Sequence, residues 1–586
     1  MTLELSVTGA LTLAEVEAVA MGDAGPQVAL SRYARTRLAD MRQAAMAALA
    51  ANPGRPIYGF NRGFGSNALF PVDQSEAVEL QQKLILSHTA NVGPCAPAEV
   101  VRAAMLLRAQ SLAVGRSTVR PELVERLLAL LNARVTPAVP RFGSVSASGD
   151  LSPLSHIAVV LMGKGRVLLD QQGRAAFGAE TIDTPTYLQK APQFGLPVFE
   201  PIALDMKEGL ALNNGCQYSA AWAILAAMRM RRLLETATIT TALGVQAMLG
   251  SGGPFRKELH ALRRHPSAQQ VAQWVYDLIG AGYPLRDTTE SEKVEFDGDI
   301  QDPYNLRCAA QILGPCLDLI TRAETTLTQE ANSVTDNPID LNEGPENYNL
   351  DKIVSGGHFH GMPIAVDAYG LLQAAGIMAR LSNMRCARYV DARRNKGLGP
   401  QVRGDHGRPT ESGLQVAEYA TAGLCNHIWA LAAPSHLMSI STDSGQEDHV
   451  SMAANVAMRA YEASERLAEI LAVELAFASQ ALSVRAAQGA VATRAIDPEL
   501  GPELPAPQTA TWRGAARTVN VEKRWSTPLQ GGHFTPSALT AGVIAKMREV
   551  FPPVAADREL AWDIMALAEK VASGEIAKAC GLFARH

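Results

Sequence analysis

The chain has no CxxC pair, no HExxH run, no long basic block and no glycine-rich loop ending in Lys-Ser/Thr. Each absence closes a route. Without clustered Cys and His there is no zinc signature. Without a basic block, and with a net charge of −5, nucleic acid is a poor partner. The seven cysteines are scattered and odd in number, which suggests reduced thiols and a cytoplasmic setting. The opening residues lack a basic n-region, so no secretory signal is expected. The charge-free stretches, residues 236–255 and 419–442, are full of Thr, Ser, Gly, His or Pro, and read as buried helices and loops rather than membrane spans.

What is present is a long, ordinary globular composition: 586 residues, 47% hydrophobic and 19% charged. That length suggests several regions. Residues 1–200 are mixed and loop-rich, residues 201–490 carry long helical patterns, and residues 491–586 form a loop-rich and then helical extension. The long patterns fall near 216–249, 308–333, 362–396 and 450–488, rich in Ala, Leu and Met with few internal Gly or Pro. A mainly α fold with a long-helix bundle core is expected. So much apolar helix surface also suggests oligomerisation. Strand signals are weak, with 167–169 and 195–203 as candidates.

Residues 143–153, GSVSASGDLSP, carry the most chemistry. Neither Ser146 nor Ser148 has glycine at both −2 and +2, so a GxSxG nucleophile elbow fails. A Ser/Gly turn before a helix near Leu154 is one reading. The other uses the backbone. If the Gly149 nitrogen attacks the Ala147 carbonyl and two waters are lost, Ser148 becomes an exocyclic methylidene on a five-membered ring. Glycine supplies an unhindered nitrogen and permits the tight geometry.

GSVSASGDLSPLSHIA (143–158) resembles the signature of the histidine/phenylalanine/tyrosine ammonia-lyase family, which makes a methylidene-imidazolone from Ala-Ser-Gly. Other segments are similar in the same order: YGFNRGFG (58–65), KEGLALNNGCQ (207–217), QDPYNLRC (301–308), SVTDNP (333–338), SGGHFHGMP (355–363) and GQEDHVSM (445–452). Together they span roughly residues 5–490. The resemblance implies that Ala147, Ser148 and Gly149 form the electrophile, with no external cofactor. It implies Tyr58 as the catalytic base and Tyr304 as a tyrosine near the electrophile. It assigns Arg307 to the substrate carboxylate, Asn214 to the ring oxygen and substrate, Gln301 to a supporting contact and Phe359 to an aromatic wall.

A phenol is a weak base, so Tyr58 would need nearby cations or helix N-termini to favour phenolate. Arg307 follows Gln301 and Tyr304 at spacings of six and three, read as helical; its fork suits a carboxylate, although an ion pair is the plainer fate. Glu447 is read either as a helix-start acid or as a carboxylate near the substrate amine or ring. His358 and His360 stand at i and i+2, which is no helical ligand pair, so no metal is expected.

In LQQKLILSHTANVG (80–93), Ser87-His88 occupies the pair that faces the substrate ring in the family, and Ser-His resembles the histidine-acting members. His88 and Glu447 can hydrogen-bond an imidazole, and a phenyl ring would leave both unpaired. The implied reaction is elimination of ammonia from L-histidine to give trans-urocanate. A modified histidine, tyrosine or phenylalanine as substrate, or a 2,3-aminomutase outcome, are the alternatives. Arg62, Asn213, Cys216, Gly445, the stretch 391–416 and the tail beyond 490 depart from the family pattern. The resemblance also implies a homotetramer with each site built from three chains, dividing Tyr58, Asn214 with Arg307, and Phe359 with Glu447 among them.

Overall fold

A computed structural model describes residues 2–22, 25–65, 68–73, 76–297, 300–403, 410–491, 509–512, 515–518 and 537–583. Among them are 21 α-helices and only short strands, none above four residues. Contacts sort the chain into two units gathered from segments distant in sequence. Unit 1 holds Met1–Met228, Arg322–Gly370 and Pro434–Tyr461; unit 2 holds Arg229–Thr321, Leu371–Ala433 and Glu462–His586.

In unit 1 the helix Leu13–Met21 starts at a capping box, Thr12 with Glu15, and packs on the helix Ala98–Ala113. That second helix is buried on almost every face, so its alanines let neighbours approach closely and its Arg108 is fully enclosed. The strand Pro140–Phe142 pairs antiparallel with Val92–Cys95 and delivers the chain to Gly143. The expected strand near 167–169 exists as Arg166–Leu168, between Thr136–Pro137 and Thr181–Asp183. The one expected at 195–203 does not: a 3-10 turn, Ala191–Phe194, leads into irregular chain that Pro197 and Pro201 keep out of a ladder.

Unit 2 contains stretches of the four long helices, which run Gln217–Ala247, Ala309–Ala331, Met362–Val390 and Ala453–Val491. A fully buried ion pair fixes three of them in register. Arg385 of Met362–Val390 forks onto Glu474 of Ala453–Val491, and its Nη2 also donates to Thr240 Oγ1 at 3.2 Å on Gln217–Ala247. The Tyr389 and Phe477 rings stack at 5.6 Å beside it. Two of these helices are long and apolar enough to cross a membrane by composition, Met362–Val390 and Ala453–Val491, but 61% and 89% of their apolar stretches are buried inside the protein. Core packing accounts for their composition.

The extension is tied into unit 2. Gln480 exchanges two hydrogen bonds with Val554, 2.8 and 2.9 Å, and Ser537 Oγ donates to Leu278 O at 2.7 Å. Asp557 accepts from Ser412 N and Gly413 N at 2.6 and 2.8 Å, while its own N–H donates to Glu411. Arg485 donates to Asn395 O and Lys396 O, and burial lowers its pKa to about 10. These bonds hold both ends of the atypical 391–416 stretch; residues 404–409 fall outside the described residues, as does the loop-rich 495–535 apart from the paired strands Thr509–Trp512 and Ala515–Thr518.

Candidate active site

The Ala147-Ser148-Gly149 turn is compressed against a second piece of backbone. Gly149, at φ +76°, forms a parallel bridge with Gly215, and the Asp150 N–H donates to Gly215 O at 2.7 Å. A Cβ on Gly149 would lie 2.4, 2.5 and 2.6 Å from the O, C and N of Gly215. Those are main-chain atoms with no rotamer to yield, so only glycine fits. Ser146, a non-glycine residue, is held at φ +51°. Arg108 closes the floor, donating to Asn214 O at 2.5 Å and Gln217 Oε1 at 3.1 Å.

Four helices begin around this turn: Leu151–Leu161, Gln217–Ala247, Met362–Val390 and Ala453–Val491. Gly361 N and Ser451 Oγ donate to Ser146 O, and Ala454 N donates to Ser146 Oγ at 3.1 Å. Their positive ends favour negative charge at the turn. Asp150 supplies one. It is fully buried and accepts from Ser144 Oγ, Ser146 Oγ, Ser219 N and Ser219 Oγ at 2.7–2.9 Å. Burial pushes its pKa up, and these hydrogen bonds oppose the shift.

Two side chains converge on Ser148. Asn214 Nδ2 donates to Ser148 O at 2.8 Å, leaving its buried Oδ1 without a partner among the described residues. The Ser148 hydroxyl donates to Glu447 Oε1 at 2.7 Å. Glu447 is not at a helix start. It closes a turn with Thr442, whose hydroxyl donates to the other carboxylate oxygen.

Tyr58 is close by, its hydroxyl accepting from Gly65 N at 3.3 Å and its ring meeting Phe64 edge-on at 6.1 Å. The expected cations are not what surrounds it within this unit. Burial raises its pKa, the Gly65 bond opposes this, and Asp443, Asp336 and Glu447 raise it further. Arg62 turns away and donates to Leu69 O. In His88, Nδ1 lies 2.9 Å from Leu84 O. A carbonyl only accepts, so Nδ1 carries the proton and Nε2 the lone pair. Burial lowers the His88 pKa, which favours this neutral form.

Cys216 donates its thiol to Phe359 O at 2.7 Å, so one departure from the family pattern anchors the Phe359 backbone. Another, Asn213, donates to Ser155 Oγ. His360 Nε2 contacts His449 O, and no group of three His, Cys, Asp or Glu fit for a metal occurs among the described residues.

Unit 1 therefore gathers Tyr58, His88, the Ala-Ser-Gly turn, Asn214, Glu447 and the Phe359 backbone. Asn214 and Glu447, expected from different chains, both bond Ser148 within one chain. Gln301, Tyr304 and Arg307 form their own group in unit 2. Only Tyr304–Arg307 is helical; Gln301 precedes Pro303 in irregular chain, so its spacing to Arg307 is not helical. Arg307 Nε donates to Asp302 O at 2.9 Å and its guanidinium covers the Tyr304 ring at 4.8 Å. Gln301 and Arg307 line a cleft of about 360 Å³ with Lys293 and Asp302, and Tyr304 is 69% exposed. The sequence reading missed Asp150, Ser219, Arg108 and Gly215. Asp150 adjoins the triad and was findable; the others meet it only through the fold.

The profile described as aromatic amino acid lyase matches residues 11–499. The chain belongs to the aromatic amino acid lyase family. It is 40% identical over 443 residues to a histidine ammonia-lyase of Bradyrhizobium diazoefficiens, covering 76% of this chain and 80% of that one. The structure resembles a tyrosine aminomutase from Streptomyces globisporus (TM-score 0.80, 27% identity, 99% and 98% covered). It also resembles a histidine ammonia-lyase from Trypanosoma cruzi (TM-score 0.78, 27% identity, 99% and 95% covered). The mainly α fold is that of these relatives, and the chain is a carbon–nitrogen lyase.

Proposed function

We propose that this enzyme eliminates ammonia from L-histidine to give trans-urocanate, using a methylidene-imidazolone formed from Ala147, Ser148 and Gly149. The observation that carries the electrophile is the convergence on Ser148: Asn214 holds its carbonyl, Glu447 accepts a hydrogen bond from its hydroxyl, and the neighbouring Gly149 is bridged to Gly215 with no room for a side chain. Such a ring supplies an electrophilic carbon that no encoded side chain provides. Tyr58 serves as the base for the β-proton. Arg307 holds the substrate carboxylate, with Gln301 and Tyr304 as further contacts and Phe359 as a wall.

Histidine is favoured by His88 and Glu447. An imidazole N–H finds an acceptor at His88 Nε2, and the Glu447 carboxylate offers another. The exposed Tyr304, next to a carboxylate-binding arginine, supports a homotetramer in which that group completes a neighbour's site. Seven free cysteines accord with a reducing cytoplasm.

The test is incubation with L-histidine while following the conjugated product in the ultraviolet. No urocanate from protein whose intact mass shows the two-water loss of a formed ring overturns the substrate reading. The aminomutase relative keeps a second outcome open, re-addition of ammonia at the β-carbon. A mass-spectrometric product screen with histidine, modified histidines, tyrosine and phenylalanine separates the two.

A further inference from the structure

The turn that presents Glu447 carries a second carboxylate. Thr442 N donates to Glu447 O at 3.0 Å and Glu447 N to Thr442 O at 3.3 Å, closing the loop. Inside it Asp443, Ser444 and Gly445 all take positive φ, 45°, 56° and 90°. Two of the three bear side chains, which L residues rarely place there. The result is a direction: Asp443 is turned onto the tyrosine loop. A Cβ at Gly65 would lie 2.6 Å from Asp443 Oδ2, so the carboxylate abuts the loop at a residue that must lack a side chain. Gly65 is the residue whose N–H donates to the Tyr58 hydroxyl.

We propose that Asp443 is a positioning residue of this site: its carboxylate seats the tyrosine loop at Gly65 and sets the electrostatic surroundings of Tyr58. The inference rests on Tyr58 as the base. Three carboxylates face Tyr58, and Asp443 has the largest effect of them, ahead of Asp336 and Glu447. Asp336 also pairs with Lys207 at 2.8 Å, Glu447 also receives the hydroxyls of Ser148 and Thr442, and Asp443 has a partner of its own. His88 faces Glu447 and Asp443 as well. A negative charge here opposes phenolate, so the Tyr58 oxygen, once ionised, is a stronger base for a poorly acidic carbon-bound proton.

The experiment is Asp443→Asn, read in two ways. The first titrates Tyr58 by phenolate absorbance in the enzyme without substrate, as a difference against the Tyr58→Phe protein. The second is the pH profile of kcat on whichever amino acid the wild type deaminates. Tyr58 should ionise roughly half to one pH unit lower, the acid limb should move the same way, and the kcat plateau above that limb should fall several-fold. Gly65→Ala perturbs the contact from the loop side. Its Cβ displaces the carboxylate and should move the same titration away from the wild-type curve, which keeps the test in force if Asp443→Asn does not fold. Unmoved titration curves in every variant that folds overturn the proposal, even where kcat falls. A wild type inactive on histidine defeats only the substrate reading, since the titration needs no substrate.

Discussion

Replacing Gly215 by alanine separates the compression of the turn from the identity of its residues, because Gly215 lies outside the Ala-Ser-Gly triad. Its φ is +151°, and a Cβ there would lie 2.4 Å from Arg108 Nη1, 2.4 Å from Gln217 Oε1 and 2.7 Å from Thr335 Oγ1. All three are buried or nearly so, and Arg108 is pinned by its bond to Asn214 O. The backbone strain is worth roughly 1–3 kcal/mol. Displacing Arg108 breaks a charged hydrogen bond, about 1.5–3 kcal/mol more. A destabilisation of about 2.5–6 kcal/mol follows on these principles. The larger effect is chemical: as Gly215 backs away, the bridge that sets the backbone of the turn at Gly149 and Asp150 is lost. Intact-mass spectrometry reads the result, because a cyclised chain is lighter by two waters. Gly215→Ala should show little of that deficit and little activity, with its melting temperature lowered. A full two-water deficit and wild-type kcat would refute the reasoning.

His88→Leu removes the acceptor at Nε2 and should lower kcat/KM for histidine about 10- to 100-fold, with less effect on phenylalanine, measured by paired steady-state kinetics. Glu474→Gln leaves Arg385 buried beside a neutral partner and should destabilise by about 3–5 kcal/mol in thermal unfolding. Burial lowers the His156 pKa from its ordinary 6.5 to about 4. Between those values the unfolded chain binds the extra proton, so stability should fall as pH drops through that window and level off below it. His156→Gln should flatten that part of the denaturation-versus-pH curve.

The long helices were legible because Ala, Leu and Met recur at helical spacing over tens of residues, and their observed bounds lie within a few residues of those expected, apart from the 362–396 pattern, whose helix ends at Val390. The Ala-Ser-Gly turn was legible as a candidate because its three residues are adjacent. Strands of two to four residues carry too little periodicity to announce themselves, which is why Thr2–Leu5 paired with Gln27–Leu30 was not foreseen. Gln301 was miscounted onto a helix because spacing alone ignores Pro303. The anionic setting of Tyr58 was invisible because Asp443 and Asp336 reach it from segments hundreds of residues away. The same distance hid Gly215, whose role exists only once two loops are brought side by side.

The bonds between the extension and unit 2 bear on how such a chain can change over generations. The match to the family model ends at residue 499, and helices such as Ala538–Arg548 lie beyond it. Yet Gln480, nearly fully buried, satisfies its carboxamide on Val554, and Ser412 and Gly413 give their N–H groups to Asp557. A shortened descendant would inherit those polar groups without their partners, and each buried one is destabilising. Shortening the chain would therefore weaken the part that remains, because polar groups of the helix Ala453–Val491 and of the 412–413 turn are completed from beyond residue 537.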